Sequence, residues 1–328
     1  MNKKFVASGA RTNKIRNSLV KVVVEEDLGK WMSPELGAVC RIDSSAVMPV
    51  VRFEIETVEP PPYVWRWRIA WDAKVSGLRE TAKRGALLKT YATKGEFSSD
   101  RKHWDVDLGG VFGGRLRVEV TAGTMLFKRY IDVRGINPSA NEIEAVVKSI
   151  PDVDGLTSLL KQESHGKHFI EADGEPIVAF DNGYGITQMT NPAPSYEQVW
   201  SWKENVRAGA RLYQEKQKLA KAYLSQSGRS YSAEQLRLET WSRWNGGAYH
   251  IWSEQKKAWI RNDSILCDSE TGNIGWDATL EGNKGKSETD LHARDKGSYA
   301  NPKKDKKDDN QWKYTGICYA DHVDSSAK

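Results

Sequence analysis

The spacing of hydrophobic and polar positions changes its period once along the chain. Val51, Phe53 and Ile55 alternate with Arg52, Glu54 and Glu56, and Trp65, Trp67 and Ile69 with Arg66 and Arg68. Leu116, Val118 and Val120 alternate with Arg115, Arg117 and Glu119, and Val20, Val22 and Val24 show the same period of two. Such alternation turns one face of a strand to a core and the other to water. Pro60-Pro61-Pro62, Gly109-Gly110 and Gly113-Gly114 interrupt the runs as turns do. Short strands without a convincing helix predict a β-sandwich over residues 19–137, immunoglobulin-like, with the Trp65-x-Trp67 strand central. Residues 1–18 are polar and basic and read as a flexible arm.

Beyond Asn137-Pro138 the period becomes that of a helix. Ser139 and Glu142 have capping-box spacing, in which hydroxyl and carboxylate each satisfy a free backbone N–H. Ile143, Val146, Val147 and Ile150 then share one face, and Pro151 ends the run. A second helix, starting near Asp152 or Asp154, carries Leu156, Leu159 and Leu160. Ser195 and Gln198 open a long one, with Val199, Trp202, Val206, Gly209, Tyr213, Ala220 and Tyr223 on one stripe. Ser232 and Gln235 open another, which carries Leu236 and Trp241 towards Trp244 and stops at Gly246-Gly247. Residues 281–311, rich in Gly, Lys and Asp, read as a solvated excursion. Trp312, Tyr314, Ile317 and Tyr319 would let the end of the chain dock back. The expected fold class is therefore α+β in two domains, the β-sandwich followed by a mainly α-helical domain over 138–328.

Composition narrows the function less than the pattern does. The chain has 328 residues, room for about two domains. Its 13 Trp suit sugar stacking as well as core packing. A net charge of +5 favours an anionic partner such as cell wall or nucleic acid. No RNA-binding signature, zinc-finger spacing or basic helix supports nucleic acid, which is not expected as a partner. Cys40, Cys267 and Cys318 match no zinc pattern, and their odd number argues against a disulfide scaffold while leaving room for one bond. No stretch is long and apolar enough to span a membrane. The start is basic, but Phe5-Val6-Ala7 is too short an apolar run for a signal peptide.

Glu163 is the residue with the clearest chemical promise. It continues the face of Leu156, Leu159 and Leu160, at i+4 from Leu159 and i+3 from Leu160. A carboxyl at a domain interior is disfavoured in its charged form, and such an acid can protonate a glycosidic oxygen near neutral pH. Periodicity alone favours a structural glutamate at this place. The surrounding motifs change that balance. Glu163-Ser164-His165-Gly166 is followed by Asn182-Gly183-Tyr184-Gly185-Ile186-Thr187-Gln188-Met189, then by Asn205 with Gly209, then by Trp244-Asn245-Gly246-Gly247.

This ordered set, spread over roughly residues 139–260, resembles goose-type lysozymes and the related soluble lytic transglycosylases. The resemblance implies a lysozyme-like domain acting on peptidoglycan, with no cofactor and no metal. It implies Glu163 as the catalytic acid and Ser164 as the residue that orients it or binds an N-acetyl group. Gly183 and Gly185 would let the backbone approach the sugar. Tyr184 lies between them in the substrate-binding segment, Gln188 would hydrogen-bond the sugar, and Asn245 would present its amide to the cleft. The family usually has tyrosine where Trp244 stands, which leaves its hydroxyl to Tyr249. Asp181 is the candidate base for hydrolysis, with Asp173 and Glu175 as weaker options. Without a base, a neighbouring N-acetyl group would act and the product would be a 1,6-anhydro sugar. His165 and His168 have no evident third ligand.

Thr190-Asn191-Pro192-Ala193-Pro194 and Trp200-Ser201-Trp202-Lys203-Glu204-Asn205, together with the β-region, resemble the lysozyme-like modules of type VI secretion effectors. That resemblance implies an antibacterial toxin made in the cytoplasm and delivered to the periplasm of a target cell. Its partners would be a secretion apparatus and an immunity protein; a phage tail would serve equally for delivery. A wall-binding or baseplate module without catalysis is the competing reading.

Overall fold

The computed structural model describes residues 30–76, 84–300 and 311–327. The arm over 1–18 and the Val20–Val24 alternation lie outside the described residues. Among the described residues the first half has eight strands: β1 (Lys30–Ser33), β2 (Ala38–Ile42), β3 (Arg52–Glu56), β4 (Tyr63–Ser76), β5 (Arg84–Ser99), β6 (His103–Asp105), β7 (Gly114–Ala122) and β8 (Met125–Gly135). They form a five-stranded sheet ordered β2-β8-β7-β4-β5 and a three-stranded sheet ordered β1-β3-β6. All pairings are antiparallel except β2 with β8. The alternation of the sequence dictates which side is dry. Trp65, Ile69, Leu116, Val118, Val120, Phe127 and Ile131 are buried. They meet Trp31, Phe53 and Ile55 of the smaller sheet in one core.

The second half carries α1 (Ala140–Lys148), α2 (Leu156–Ser164), α3 (Tyr196–Trp200), α4 (Trp202–Leu224), α5 (Ala233–Trp244), α6 (Glu288–Asp295) and α7 (Gly316–Ala327). Between them lie β9 (His250–Ser253), β10 (Ala258–Arg261), β11 (Ile265–Cys267), β12 (Ile274–Asp277) and β13 (Trp312–Tyr314). The expected fold class is corrected here. The second half is not mainly α-helical; the chain is mixed, with 13 strands in four sheets and seven helices among the described residues. The five extra strands make a β9–β10 hairpin and a sheet ordered β11-β12-β13. Each is only three or four residues long, too short for an alternation to register in sequence.

Two further expectations are corrected. The stretch 281–311 is not simply solvated. It includes α6, whose Leu291 packs with Trp276 and Trp312 in a small core of its own. The long helix expected from Ser195 is broken at Ser201, which has an extended conformation and caps α4 through Glu204 N. The break sends two nearby tryptophans to different places. Trp200 joins the core of the sheets, where a Cβ on Gly113 would lie 2.0 Å from its ring. Trp202 joins the helical core, and its indole N–H donates to Ser44 O at 2.7 Å. Phe169, Val178 and Tyr184 also enter the core of the sheets, so the change of period near residue 138 is not a gap in packing.

Candidate active site

Glu163 lies in the last turn of α2, which ends at His165 in the left-handed conformation. The side chain is partly buried. Its Oε1 accepts two hydrogen bonds from other helices. Trp244 Nε1, at the end of α5, donates at 3.0 Å, and Tyr319 Oη, on α7, donates at 2.5 Å. Tyr319 is only 6% exposed. Burial, then the Glu163 charge and the hydrogen bond to it, hold the Tyr319 hydroxyl far above the usual tyrosine range, so it remains a donor at any working pH.

Tyr319 is the partner of Glu163 that sequence reasoning missed. It stands 156 residues from Glu163 and showed only as part of an apolar return of the chain. Trp244 stood out as a departure from the family's tyrosine. Its indole N–H donates to Glu163, and the hydroxyl at that carboxylate comes from Tyr319 instead of Tyr249. Tyr249 turns elsewhere, donating to Asp321 Oδ1 at 2.6 Å.

The residues around Glu163 fix it from below. Ser164 is fully buried, and its hydroxyl makes contacts to Leu160 O at 3.2 Å and Ile186 O at 2.8 Å. It clamps the end of α2 onto the turn Gly185–Thr187; the expected contact with sugar does not fit a side chain without exposure. Asn205 is equally buried. Its Oδ1 accepts from Thr187 N at 3.0 Å and Thr187 Oγ1 at 2.8 Å, while Nδ2 donates to Tyr184 O at 3.2 Å and Gln198 O at 3.1 Å. The amide has used both of its ends on the turn and on α3.

His168 completes this support. Its Nε2 lies 2.8 Å from Val199 O, and its Nδ1 accepts from Ile186 N at 3.1 Å. Both ring nitrogens are engaged with backbone, in the tautomer that carries the proton on Nε2. Full burial lowers its pKa to about 4 from 6.5, against a smaller opposing effect of the Val199 carbonyl. The unfolded chain therefore binds the extra proton between these values. The stabilisation is fully present above pH 6.5 and is lost as pH falls through 4. We expect the urea-unfolding free energy to drop by about 3 kcal/mol across that window from this residue. His168→Gln, compared by the same titration, should lack that part of the drop; an unchanged pH dependence would show that His168 does not cause it.

The glycine-rich segment is tightly packed. Gly185 has φ +66°, and a Cβ there would lie 2.3 Å from His168 Cε1. A Cβ on Gly183 would lie 2.9 Å from Gln188 Oε1. The protein itself thus fills the space at both glycines. Gln188 is partly exposed, and its Nε2 donates to Gly185 O at 2.6 Å. Tyr184 is 3% exposed and packs edge-on against Tyr91 of β5, with ring centroids 6.0 Å apart, which places it in the core of the sheets.

Asp181 is exposed at the tip of a turn, where Oδ1 accepts from Gly183 N at 3.3 Å. Glu175 belongs to the sheet: Trp71 Nε1 donates to it at 3.1 Å and Arg134 lies 3.4 Å away. Asp173 Oδ1 accepts from Glu175 N at 2.9 Å. Asn245 is exposed as the C-cap of α5. No family model, curated protein or solved structure matches the chain.

Proposed function

We propose that the chain cleaves the MurNAc-β-1,4-GlcNAc bond of peptidoglycan, with Glu163 as general acid. The observation that supports this best is the convergence of Trp244 and Tyr319 on one oxygen of Glu163. In its acid form the carboxyl carries the proton to be transferred. That proton passes to the glycosidic oxygen as the C–O bond breaks. The two donors come from different helices and hold the carboxyl plane in place, which is the orientation that general-acid catalysis needs.

Hydrolysis then requires a base that takes a proton from the water adding to the anomeric carbon. Asp181 is our candidate. An inverting pair stands about 6.5–9.5 Å apart, so no bond between base and acid is needed. A second reading draws on the exposure of Asp181 and its long bond to its own turn. In it, the N-acetyl group assists and the sugar's own O6 hydroxyl attacks, giving a 1,6-anhydro end. Gln188 and Asn245, both with some exposure, are the groups we assign to sugar binding.

No helix among the described residues is long and apolar enough to cross a membrane. We read the protein as an antibacterial effector that meets the wall after delivery by a secretion apparatus, with an immunity protein guarding the producer. Mass analysis of purified peptidoglycan after digestion tests the proposal. Muropeptides with a reducing end are expected; products lacking one water favour the second reading, and no soluble muropeptide at all would remove both.

A further inference from the structure

We infer that the disulfide Cys267–Cys318 is a positioning element of the candidate active site, holding Tyr319 against Glu163, so that the site assembles when this bond is oxidised and loosens when it is reduced. The inference rests on the proposed role of Glu163 and concerns what keeps its hydroxyl partner in register.

Cys318 and Tyr319 are neighbours in the first turn of α7, and they point about 100° apart around the helix. Cys318 is bonded to Cys267 at the end of β11, while Tyr319 reaches α2. The helix is also held by buried Ile317, Ala320 and Val323, and by Asp321, which pairs with Arg261 at 2.7 Å. Apolar contacts fix where the helix lies better than how it is turned about its axis. Rotation matters here. The tyrosine hydroxyl lies far out from the helix axis, so a turn of about 10° moves it by on the order of 1 Å. That is enough to part it from Oε1. A covalent link on the adjacent residue opposes this rotation. It also closes a sequence separation of 51 residues, across which the chain would otherwise have to place α7 by folding alone.

The bond is reached from the side of Cys267, which is partly exposed, while Cys318 is buried. Both cysteines line a surface cavity of about 320 Å³, together with Asp268, Gly272, Asp321 and His322. Cys267 Sγ lies 3.1 Å from Arg261 Nη2 and 3.7 Å from Asp321 Oδ2, so the ion pair beside it leaves little net charge to repel an incoming thiolate. A dithiol reductant therefore attacks Cys267 Sγ, and Cys318 leaves with the bonding pair and takes up a proton. The second thiol of the reductant then resolves the mixed disulfide. Two cysteine thiols form, and the reductant carries the disulfide away. A reducing compartment would hold the chain in its slack state and an oxidising one would complete the site.

The test uses the full chain, oxidised and after dithiothreitol, with Tyr319→Phe and the pair Cys267→Ser/Cys318→Ser as variants. Amide hydrogen exchange over α7 and clearance of purified walls are read in each, and circular dichroism checks the fold. Reduction of wild type should speed exchange in α7 and slow clearance roughly 10–100-fold, the range for a catalytic group misplaced by about 1 Å. Tyr319→Phe should lose a similar factor and respond to reduction by less than about twofold, because the link then has nothing to position. The idea is overturned if reduction slows Tyr319→Phe as much as wild type, or if α7 exchanges at the same rate in both states. A chain whose α7 responds to reduction but clears no walls when oxidised supports the anchor and counts against Glu163 as catalyst.

Discussion

Glu163→Gln should slow clearance of purified cell walls on the order of 10³-fold while leaving the fold intact. The amide has the same shape as the acid. Its oxygen can still accept from Trp244 and Tyr319, so α2, α5 and α7 keep their meeting point. What it cannot do is release a proton to a glycosidic oxygen. Glu163→Ala is a poorer probe. It strips the Tyr319 hydroxyl of its acceptor in a site where that group is 6% exposed, at a cost of about 1–3 kcal/mol in stability. Loss of activity in that variant would mix chemistry with unfolding. The measurement is turbidity decay at equal protein concentration, with thermal unfolding followed in parallel. Wild-type clearance by a folded Gln variant would end the assignment of this residue as the acid. Trp244→Phe and Tyr319→Phe should fall between wild type and Glu163→Gln, since each removes one donor and leaves the carboxyl.

How much of this was legible in sequence depended on distance along the chain. The capping boxes at Ser139–Glu142, Ser195–Gln198 and Ser232–Gln235 are formed as their spacing predicts, because a cap is a contact across three residues. The alternation along β3, β4 and β7 showed which side of each strand is buried. The break at Ser201 was not visible. Its neighbours on both sides fit one helical stripe, and only two separate cores, one for Trp200 and one for Trp202, reveal why the helix must end. Strands of three or four residues gave no period, so β9 to β13 were missed. Glu163 was placed on a half-buried helix face by spacing alone, but its partners Trp244 and Tyr319 lie 81 and 156 residues away. Ser164, Tyr184 and Asn205 stood in the motifs that carry the resemblance, and the structure shows them buried around the turn that carries Gln188. Residue type and spacing alone do not separate side chains that build a turn from side chains that would touch a ligand.

Asp181→Asn is expected to cut the rate on the order of 10²-fold if the chain hydrolyses its substrate. The carboxylate is exposed at a turn tip, and its bond to Gly183 N at 3.3 Å is long. Removing its charge should leave stability nearly unchanged, so a drop in rate reports chemistry. The amide keeps the oxygen that accepts from Gly183 N and loses only the ability to take a proton from water. Wild type and variant should be compared by product as well as rate. A slow variant that still yields reducing muropeptides assigns the base to Asp181. A variant as fast as wild type, with products lacking one water in both, moves the work to the substrate's own N-acetyl group. The two results also say different things about Glu163. In hydrolysis it need only donate, because the water's proton goes to Asp181. In the anhydro route it first donates to the leaving oxygen and must then accept the O6 proton, so the same oriented carboxyl serves both steps. The paired donors on Oε1 fix the carboxyl in one orientation, which both roles need.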